Sequence, residues 1–268
     1  MKPGIHVLSN EDYHKGSGLS KSGIEEMRRS PAHFKARYID RIIDSDPTPA
    51  MLAGTLAHCA TLEPLEFAMR YAVGPDVSRV TKAWKEFESS LPAGVTCIKP
   101  DDYAKAWAQS NALRILPDVA DAMMSGRPEV SAYWTDADTG ILCKCRPDWV
   151  HHCQGGAIIL DVKTASDASP DGFSKAVAKF GYHRQAAWYS DGYFAASGVP
   201  VIGFVFAVVE SEPPYAAACY VLDQKSVEQG RRECREALNK FAWCKANNEW
   251  PGYQSGISEI SLPAWALA

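Results

Sequence analysis

The stretch ILCKCRPDWVHHCQGGAIILDVKT, residues 141–164, decides the fold, because two apolar segments flank a Gly-Gly pair that is typical of a hairpin turn. Both segments have the composition of β-strands. Side chains at positions i and i+2 of a strand share a face, so Asp161 and Lys163 are predicted to point the same way. An antiparallel partner strand would bring Asp148 beside them. Two carboxylates and an ammonium would then converge, an arrangement suited to holding a divalent cation against a phosphate.

The pattern by itself leaves a second interpretation open. A Pro-Asp pair followed by Asp-x-Lys also occurs in surface hairpins, where the charged side chains are simply solvated. The residues around Asp161 favour the functional interpretation, because Asp161 follows the apolar run of a buried strand. A buried carboxylate without a partner is costly, so it requires a metal ion or a cationic side chain.

The composition is that of a soluble globular protein with a substantial core, since 46% of the 268 residues are hydrophobic. No apolar run has the length of a membrane span, and the N-terminus lacks a signal-peptide pattern. The eight cysteines lack the spacing of a secreted disulfide scaffold, and Cys143-x-Cys145 lacks the turn of a zinc knuckle, so we predict reduced thiols in the cytoplasm. The net charge of −4 argues against coating nucleic acid by charge alone, but it does not exclude a nuclease.

The pattern along the chain predicts an α/β domain with a helical N-terminal layer. Ser20 is a good N-cap, Gly181 is expected to break or kink a long helix, and a linker is predicted at 44–49. The predicted helices are 20–30, 31–38, 50–64, 100–115, 117–125, 171–197 and 226–247. The predicted strands are 129–135, 141–150, 157–164, 201–209 and 215–222.

Two of the predicted helices carry polar residues that could join the central carboxylates. His58 lies on the helix after the linker; neutral imidazole is a common metal ligand, although a lone helical histidine is more often packed or solvated. Tyr182, Gln185 and Tyr189 are spaced by three and four residues and share one helix face. That face either packs on the sheet through its aromatic rings or projects the Gln185 amide into a cleft, where it could hold a water, the lysine or a phosphate oxygen.

The first part of the chain is rich in groups that could take a phosphate. Ser20 and Ser22 could donate hydroxyls, and the start of the helix there would add backbone amides. The alternative is a solvated charged face, which is what a charge run usually forms. The basic residues in this part are Lys15, Lys21, Arg28, Arg29, Lys35, Arg37 and Arg41.

Taken in order, these motifs resemble the PD-(D/E)XK nuclease superfamily, and more narrowly the RecE-type exonucleases of phages and prophages, which are related to lambda exonuclease and the RecB nuclease domain. The resemblance covers nearly the whole chain. It rests on YHK (13–15), GLSKS (18–22), GTLAHCATLEP (54–64), CRPDW (145–149), DVKT (161–164), QAAWY (185–189) and SEISLPAW (258–265).

The resemblance implies a mixed central sheet flanked by helices in a single domain, 1–268, with a helical part at 1–75 and a catalytic core at 129–247. It implies Lys163 as the catalytic lysine, and Asp161 stands where many relatives have Glu. The implied metal ligands are His58, Asp148 and Asp161. Candidates for catalysis or for contacting DNA are Gln185, Arg146 as a phosphate clamp, Ser20, Ser22, Arg28 and Tyr189, with Glu129 and Tyr182 as weaker candidates.

The activity implied by the resemblance is a 5′→3′ exonuclease that uses Mg²⁺, with Mn²⁺ as a substitute, on double-stranded DNA ends. It would leave 3′ single strands for recombination by strand annealing. The implied partners are duplex ends, a RecT-type annealing protein and three further copies of the chain in a tetrameric ring, without a membrane. The sequence contains no Walker A motif, so ATP-driven translocation by this chain is not expected. Another PD-(D/E)XK enzyme, Cas4-like or an endonuclease, and a non-catalytic DNA-end binder are the alternatives.

Overall fold

The computed structural model describes residues 1–43, 48–254 and 256–263. The α-helices are α1 Asn10–Lys15, α2 Lys21–Arg29, α3 Pro31–Phe34, α4 Pro49–Leu62, α5 Pro64–Arg70, α6 Lys82–Ser90, α7 Pro100–Arg114, α8 Pro117–Met124, α9 Pro170–Phe180, α10 Tyr182–Ser197 and α11 Gln224–Asn247. The strands are β1 Gly4–His6, β2 Tyr71–Val73, β3 Thr96–Ile98, β4 Arg127–Pro128, β5 Ser131–Thr135, β6 Leu142–Cys145, β7 Trp149–Cys153, β8 Gly156–Ala165, β9 Val201–Glu210 and β10 Ala217–Val221.

A five-stranded mixed sheet forms the centre of the molecule, with strand order β10-β9-β8-β7-β4. β8 runs parallel to β9, and the other neighbouring pairs are antiparallel. The parallel pair needs a long crossover, which α9 and α10 supply. A second sheet has the order β1-β5-β6, and β2 and β3 form a small parallel pair. The structure confirms the predicted mixed sheet flanked by helices.

The apolar run of β9 is buried on both faces of the central sheet. Phe206 and Val208 point into the core cluster that includes α10 and α11, while Ala207 and Val209 point into a second cluster with Leu113 of α7. Successive side chains of a strand alternate between faces, so a continuous apolar run is expected where helices cover both sides. This double cover fixes the register of β8 beside β9, and therefore the position of the polar residues of β8.

The predicted strand 141–150 is wrong as a single element. β6 ends at Cys145 in the three-stranded sheet and β7 begins at Trp149 in the central sheet. Pro147 lies in the connection, and proline has no N–H with which to continue a ladder. The turn before β8 is confirmed, because Cys153 pairs with Gly156 in an antiparallel hairpin.

The N-terminal half and the helix boundaries show further differences. The helix expected over 31–38 is α-helical only to Phe34 and continues as a π-helical turn, Lys35–Ile39. The expected strand 129–135 begins at Ser131, because Glu129 has a left-handed φ of 52° that a strand does not accommodate. The break at Gly181 is confirmed; this residue has a φ of 68° and ends α9.

Three short helices and four short strands of the described residues lie outside the predicted elements: α1, α5, α6, β1, β2, β3 and β4. β1 pairs with β5, so the first residues join the sheet beside the core rather than a purely helical layer. Most of the predicted linker 44–49 lies outside the described residues. All eight cysteines are described and are free thiols. Within the described ranges, we find no helix that combines the length and apolarity needed to cross a membrane.

α10 and α11 pack so closely that the contact depends on one glycine. A Cβ atom at Gly230 of α11 would overlap the backbone carbonyl of His183 in α10. We expect Gly230→Ala to destabilise the fold by about 1–3 kcal/mol in chemical denaturation, because a backbone atom cannot move aside as a side chain would. Gly54→Ala is the control, since a Cβ there would lie 3.5 Å from Thr164 Oγ1, an ordinary contact. This control should be neutral or stabilising by up to about 1 kcal/mol. Equal stability of the two variants would contradict the prediction.

Candidate active site

The polar residues predicted at the centre of the chain converge beside one end of β8. Asp161 and Lys163 lie on β8, and Asp148 lies in the connection that precedes β7. The hairpin brings the connection back to β8, where Asp148 Oδ2 accepts a hydrogen bond of 2.8 Å from the backbone N–H of Val162. α4 packs against β8 and carries His58 to the same place. Four residues separated by up to 105 positions therefore form one cluster.

His58 bridges two carboxylates. Its Nε2 lies 2.6 Å from Asp148 Oδ2, and its Nδ1 lies 3.3 Å from Glu129 Oε1. One ligand atom from each of these three residues lies within 4.8 Å of the other two. Imidazole nitrogen and carboxylate oxygen are metal-ligand atoms, so this cluster could hold a divalent cation. The predicted proximity of His58 and Asp148 is thus present, and Glu129 completes the group.

Asp161 lies on the other side of this cluster and is fully buried. Its Oδ1 accepts a hydrogen bond of 2.5 Å from Gln185 Nε2, and its Oδ2 lies against the Lys163 ammonium. The Lys163 ammonium also sits over the ring of Tyr182, 5.1 Å from its centroid. The α10 face that carries Tyr182 and Gln185 therefore meets the site directly, with the amide of Gln185 on the carboxylate rather than on the lysine.

The charges of the cluster influence one another strongly. Burial lowers the pKa of His58, but Asp148 and then Glu129 outweigh it and raise this pKa to about 9. Burial disfavours the charged form of Asp148, yet His58 and Lys163 hold the pKa of Asp148 below its usual range. Burial, and after it the neighbouring Asp148, raise the pKa of Asp161 to about 7. Burial opposes the charge of Lys163, but Asp161 and Asp148 raise its pKa, so Lys163 is an ammonium at neutral pH.

A divalent cation fits the residues present. Three acidic side chains lie around one imidazole and one ammonium, and burial, with the charge of Asp148 after it, raises the pKa of Asp161 to about 7, so a bound cation would favour its charged form. Asp161 Oδ2 touches Lys163 but accepts no hydrogen bond of good geometry from any group in the described part of the chain. Oxygen-rich sites with one histidine suit a hard or borderline cation. A metal ligand role for Asp161 stays a prediction.

The residues predicted to contact phosphate lie in several places. Ser20 is the N-cap of α2 and accepts a hydrogen bond from the Gly23 N–H. Arg28 forms an ion pair of 3.0 Å with Glu233, on the side of α2 that faces α11. Ser20, Ser22 and Tyr189 line an open cleft with a volume of about 1040 Å³. These three residues are therefore placed where a ligand in the cleft could reach them, and Arg28 does not line it.

Arg146 lies against Glu129 rather than in the open cleft. Its Nε is 2.5 Å from Glu129 Oε2, and its Nη1 donates to the backbone carbonyl of Ser9 at 3.1 Å. The guanidinium also lies over the ring of Tyr13. These contacts aim Glu129 at His58, so in this structure Arg146 positions a carboxylate of the metal-binding cluster. Its predicted role as a phosphate clamp would require it to leave Glu129.

The sequence interpretation overlooked Lys144. This residue of β6 is 5% exposed and donates hydrogen bonds of 2.6 Å to the carbonyls of Tyr13 and Gly16. It therefore fixes the connection between α1 and α2, and its Nζ lies over the Tyr13 ring. The available signal was a lysine between two buried cysteines in an apolar strand, where an ammonium requires specific acceptors.

The pairing of Arg146 with Glu129 gives a testable expectation. We expect Arg146→Gln and Glu129→Gln each to weaken metal binding, so that activity requires a higher metal concentration. The double variant should require little more metal than either single variant. The coupling energy should be about 0.5–3 kcal/mol, because both changes remove the same interaction. Arg127→Gln, an exposed arginine nearby, is the control. Additive effects together with a raised KM for DNA would support the phosphate clamp instead.

The fold and the site define a PD-(D/E)XK-type domain: a mixed sheet whose central hairpin carries Asp161 and Lys163, with Asp148 directly before its first strand. The chain belongs to the family described as "PDDEXK-like domain of unknown function (DUF3799)", whose model matches residues 20–261. The match identifies this family and not the RecE-type exonucleases in particular, so the narrower resemblance stays a prediction.

One solved structure agrees with the fold. A crystal structure of a protein from Eubacterium rectale, described as a candidate exonuclease, matches with a TM-score of 0.65 and 13% sequence identity over 98% of each chain. SSO0001 matches with a TM-score of 0.29 and 12% identity over 82% of this chain and 83% of that one. Protein VC1899 from Vibrio cholerae matches with a TM-score of 0.26 and 13% identity over 90% of this chain and 58% of that one. No curated protein matches the sequence. At this identity the Eubacterium rectale protein supports the fold alone.

Proposed function

We propose that this protein is a Mg²⁺-dependent deoxyribonuclease that degrades double-stranded DNA from its ends in the 5′→3′ direction. The observation that carries the proposal is the convergence of His58, Glu129 and Asp148 with the buried pair of Asp161 and Lys163. A cation-binding group of carboxylates next to an ammonium is suited to hydrolysis of a phosphodiester, in which negative charge accumulates on the phosphate oxygens.

The residues of the chain have separate tasks in this proposal. Lys163 remains protonated and offsets the charge that develops on the phosphate, while it can also orient the attacking water. Gln185 holds the Asp161 carboxylate by its amide, so this carboxylate keeps one direction on β8. Tyr182 covers the ammonium and limits its movement. The bound Mg²⁺, held by His58, Asp148 and Glu129 or Asp161, would supply Lewis acidity and a water of lowered pKa.

The wider activity is part of the same proposal and is supported by the resemblance of the motifs. Degradation would leave 3′ single strands for recombination, in the cytoplasm and beside a RecT-type annealing protein. A tetrameric ring would keep the DNA enclosed during successive cleavages. Mn²⁺ is expected to replace Mg²⁺, because carboxylate-rich sites accept both ions.

The test compares substrates of different topology. The wild-type protein with Mg²⁺ is incubated with linear duplex labelled at the 5′ or the 3′ end and with closed circular duplex. We expect early release of the 5′ label as a short product, slow loss of the 3′ label, and an intact circle. Cleavage of the circle would indicate an endonuclease, and early release of the 3′ label would reverse the polarity. Binding of ends without any hydrolysis would overturn the proposal in favour of an end-binding protein.

A further inference from the structure

The charged side chains that line the open cleft beside the active site are all basic. Among its described lining residues none is an Asp or Glu, although the whole chain has a net charge of −4. Six cationic side chains line it: Lys15, Lys21, Arg37, Arg41, Lys144 and Lys245. Burial, and after it Lys144 and Arg146, lower the pKa of His14 at the same place, which is consistent with a positive potential there.

The six cationic side chains differ in whether a carboxylate already pairs with them. Three of them are already paired: Arg37 is 3.0 Å from Glu26, Lys21 is 3.5 Å from Glu25, and Lys15 is 2.5 Å from Glu11. Lys144 is bound only to carbonyl oxygens and the Tyr13 ring, so its charge is not cancelled by a carboxylate. Lys245, near the end of α11, likewise pairs with no carboxylate of the described residues. The cleft therefore keeps a net positive charge that a polyanion could neutralise.

Aromatic rings form part of the same wall. Phe34 is stacked parallel to Trp250 with centroids 5.8 Å apart and lies 4.9 Å from the ring of Tyr38. All three rings line the cleft, and Tyr38 is 39% exposed. An exposed ring that is backed by another ring is a rigid platform on which a nucleobase can stack. Cationic side chains interleaved with such platforms are the combination that binds single strands.

Helix α10 connects the cleft to the catalytic cluster. Tyr189 lines the cleft and lies one helical turn after Gln185 on the same face of α10, and the Gln185 amide donates to Asp161. Lys144, on the floor of the cleft, is four positions before Asp148. The volume of about 1040 Å³ is at the upper limit of the roughly 300–1,000 Å³ typical for small ligands, and the cleft is open. A chain molecule rather than a small one fits this shape.

We propose that this cleft binds single-stranded DNA, with Arg41 and Lys245 on the phosphates and a base stacked on Tyr38, and delivers the strand past Tyr189 to the catalytic cluster. This inference rests on the proposed function for the nature of the strand. Binding in the cleft itself requires no metal ion, because its contacts lie outside the cluster of His58, Glu129 and Asp148.

The experiment measures binding without hydrolysis. A fluorescent oligothymidylate of about 12 nucleotides, within the roughly 4–16 that such grooves cover, is titrated with Lys163→Ala protein in EDTA and followed by anisotropy. Adding Arg41→Gln and Lys245→Gln should weaken binding about tenfold and flatten the slope of log K against log salt by about 1.4, or about 0.7 for each phosphate contact. The matched control adds Lys82→Gln and Lys85→Gln on α6, which do not line the cleft, and should bind unchanged.

A separate variant tests the stacking of a base on Tyr38. Tyr38→Leu keeps an apolar side chain against Phe34 and should weaken binding of the oligothymidylate about fivefold, with no effect on an abasic strand of equal length. Unchanged binding in the cleft variants, an equal loss in the α6 control, or equal affinity for a blunt duplex of the same length would overturn the inference. Because no metal or turnover is involved, these outcomes are independent of whether the wild-type protein hydrolyses DNA.

Discussion

Lys163→Ala should leave a folded protein that no longer degrades linear duplex DNA in Mg²⁺. The ammonium of Lys163 is the cation that lies directly against Asp161 and next to the position of the scissile phosphate in the proposed function. Removal of one preorganised electrostatic group from a buried site typically reduces kcat by about 10²–10³. Replacement of an exposed lysine should leave kcat unchanged, so the two kinds of variant should differ in rate by at least about 100-fold.

The measurement must separate loss of chemistry from loss of folding. Without Lys163, Asp161 is a buried carboxylate beside Asp148, and its pKa, already raised to about 7, should rise further. Lys163→Met is a second variant that preserves the aliphatic volume. Both are compared with Lys82→Ala, an exposed lysine of α6, by circular dichroism, thermal melting and initial rates. Folded Lys163 variants that digest DNA at the wild-type rate would remove Lys163 from the mechanism.

His58→Gln should shift the Mg²⁺ titration of activity to concentrations at least about tenfold higher. His58 lies between Asp148 and Glu129, so its loss removes a ligand atom and also the group that holds the two carboxylates together. Changes to residues that only orient metal ligands already cost about 10–100-fold in affinity or activity, so the loss of a ligand should cost at least as much.

A direct binding measurement completes this second test. Mn²⁺ binding is followed by electron paramagnetic resonance in the absence of DNA, where turnover plays no part. His151→Gln is the matched control, because His151 lies on β7 and contacts Ser125 instead of the carboxylates. An unchanged Mn²⁺ affinity and an unchanged Mg²⁺ titration in His58→Gln would remove His58 from the ligand set.

The sequence was sufficient for the parts of the fold that are encoded by long patterns. β8 and β9 are long apolar strands, and the helices on either side of Gly181 are marked by a residue that tolerates a left-handed backbone. The hairpin that carries Asp161 was predictable because its turn and both of its strands lie within one short stretch. Local sequence patterns were therefore sufficient to predict the hairpin at the centre of the candidate site.

The remaining parts depend on contacts that no local pattern contains. The ion pair of Arg146 with Glu129 joins residues 17 positions apart, and both lie outside regular strands. The phosphate-clamp role of Arg146 was implied by the family resemblance, and nothing in the sequence near Arg146 indicates its pairing with Glu129. Pro147 did give a local signal for the end of β6, but the apolar residues on both sides concealed it. Short helices such as α5 and α6 are held by tertiary packing more than by their own periodicity.

The separation of α4 from the hairpin has a consequence for the order in which the molecule matures. Asp148 and Asp161 are brought together by a local turn, whereas His58 arrives from 90 positions earlier in the chain. Contacts between distant positions close later than a hairpin, because a long loop must be closed first. A chain whose first helices have not docked therefore lacks the imidazole of the cluster, and cation binding stabilises only the finished molecule. A cation held by both His58 and Asp148 would thus stabilise the docking of α4 on the hairpin, because its ligands come together only in the folded chain.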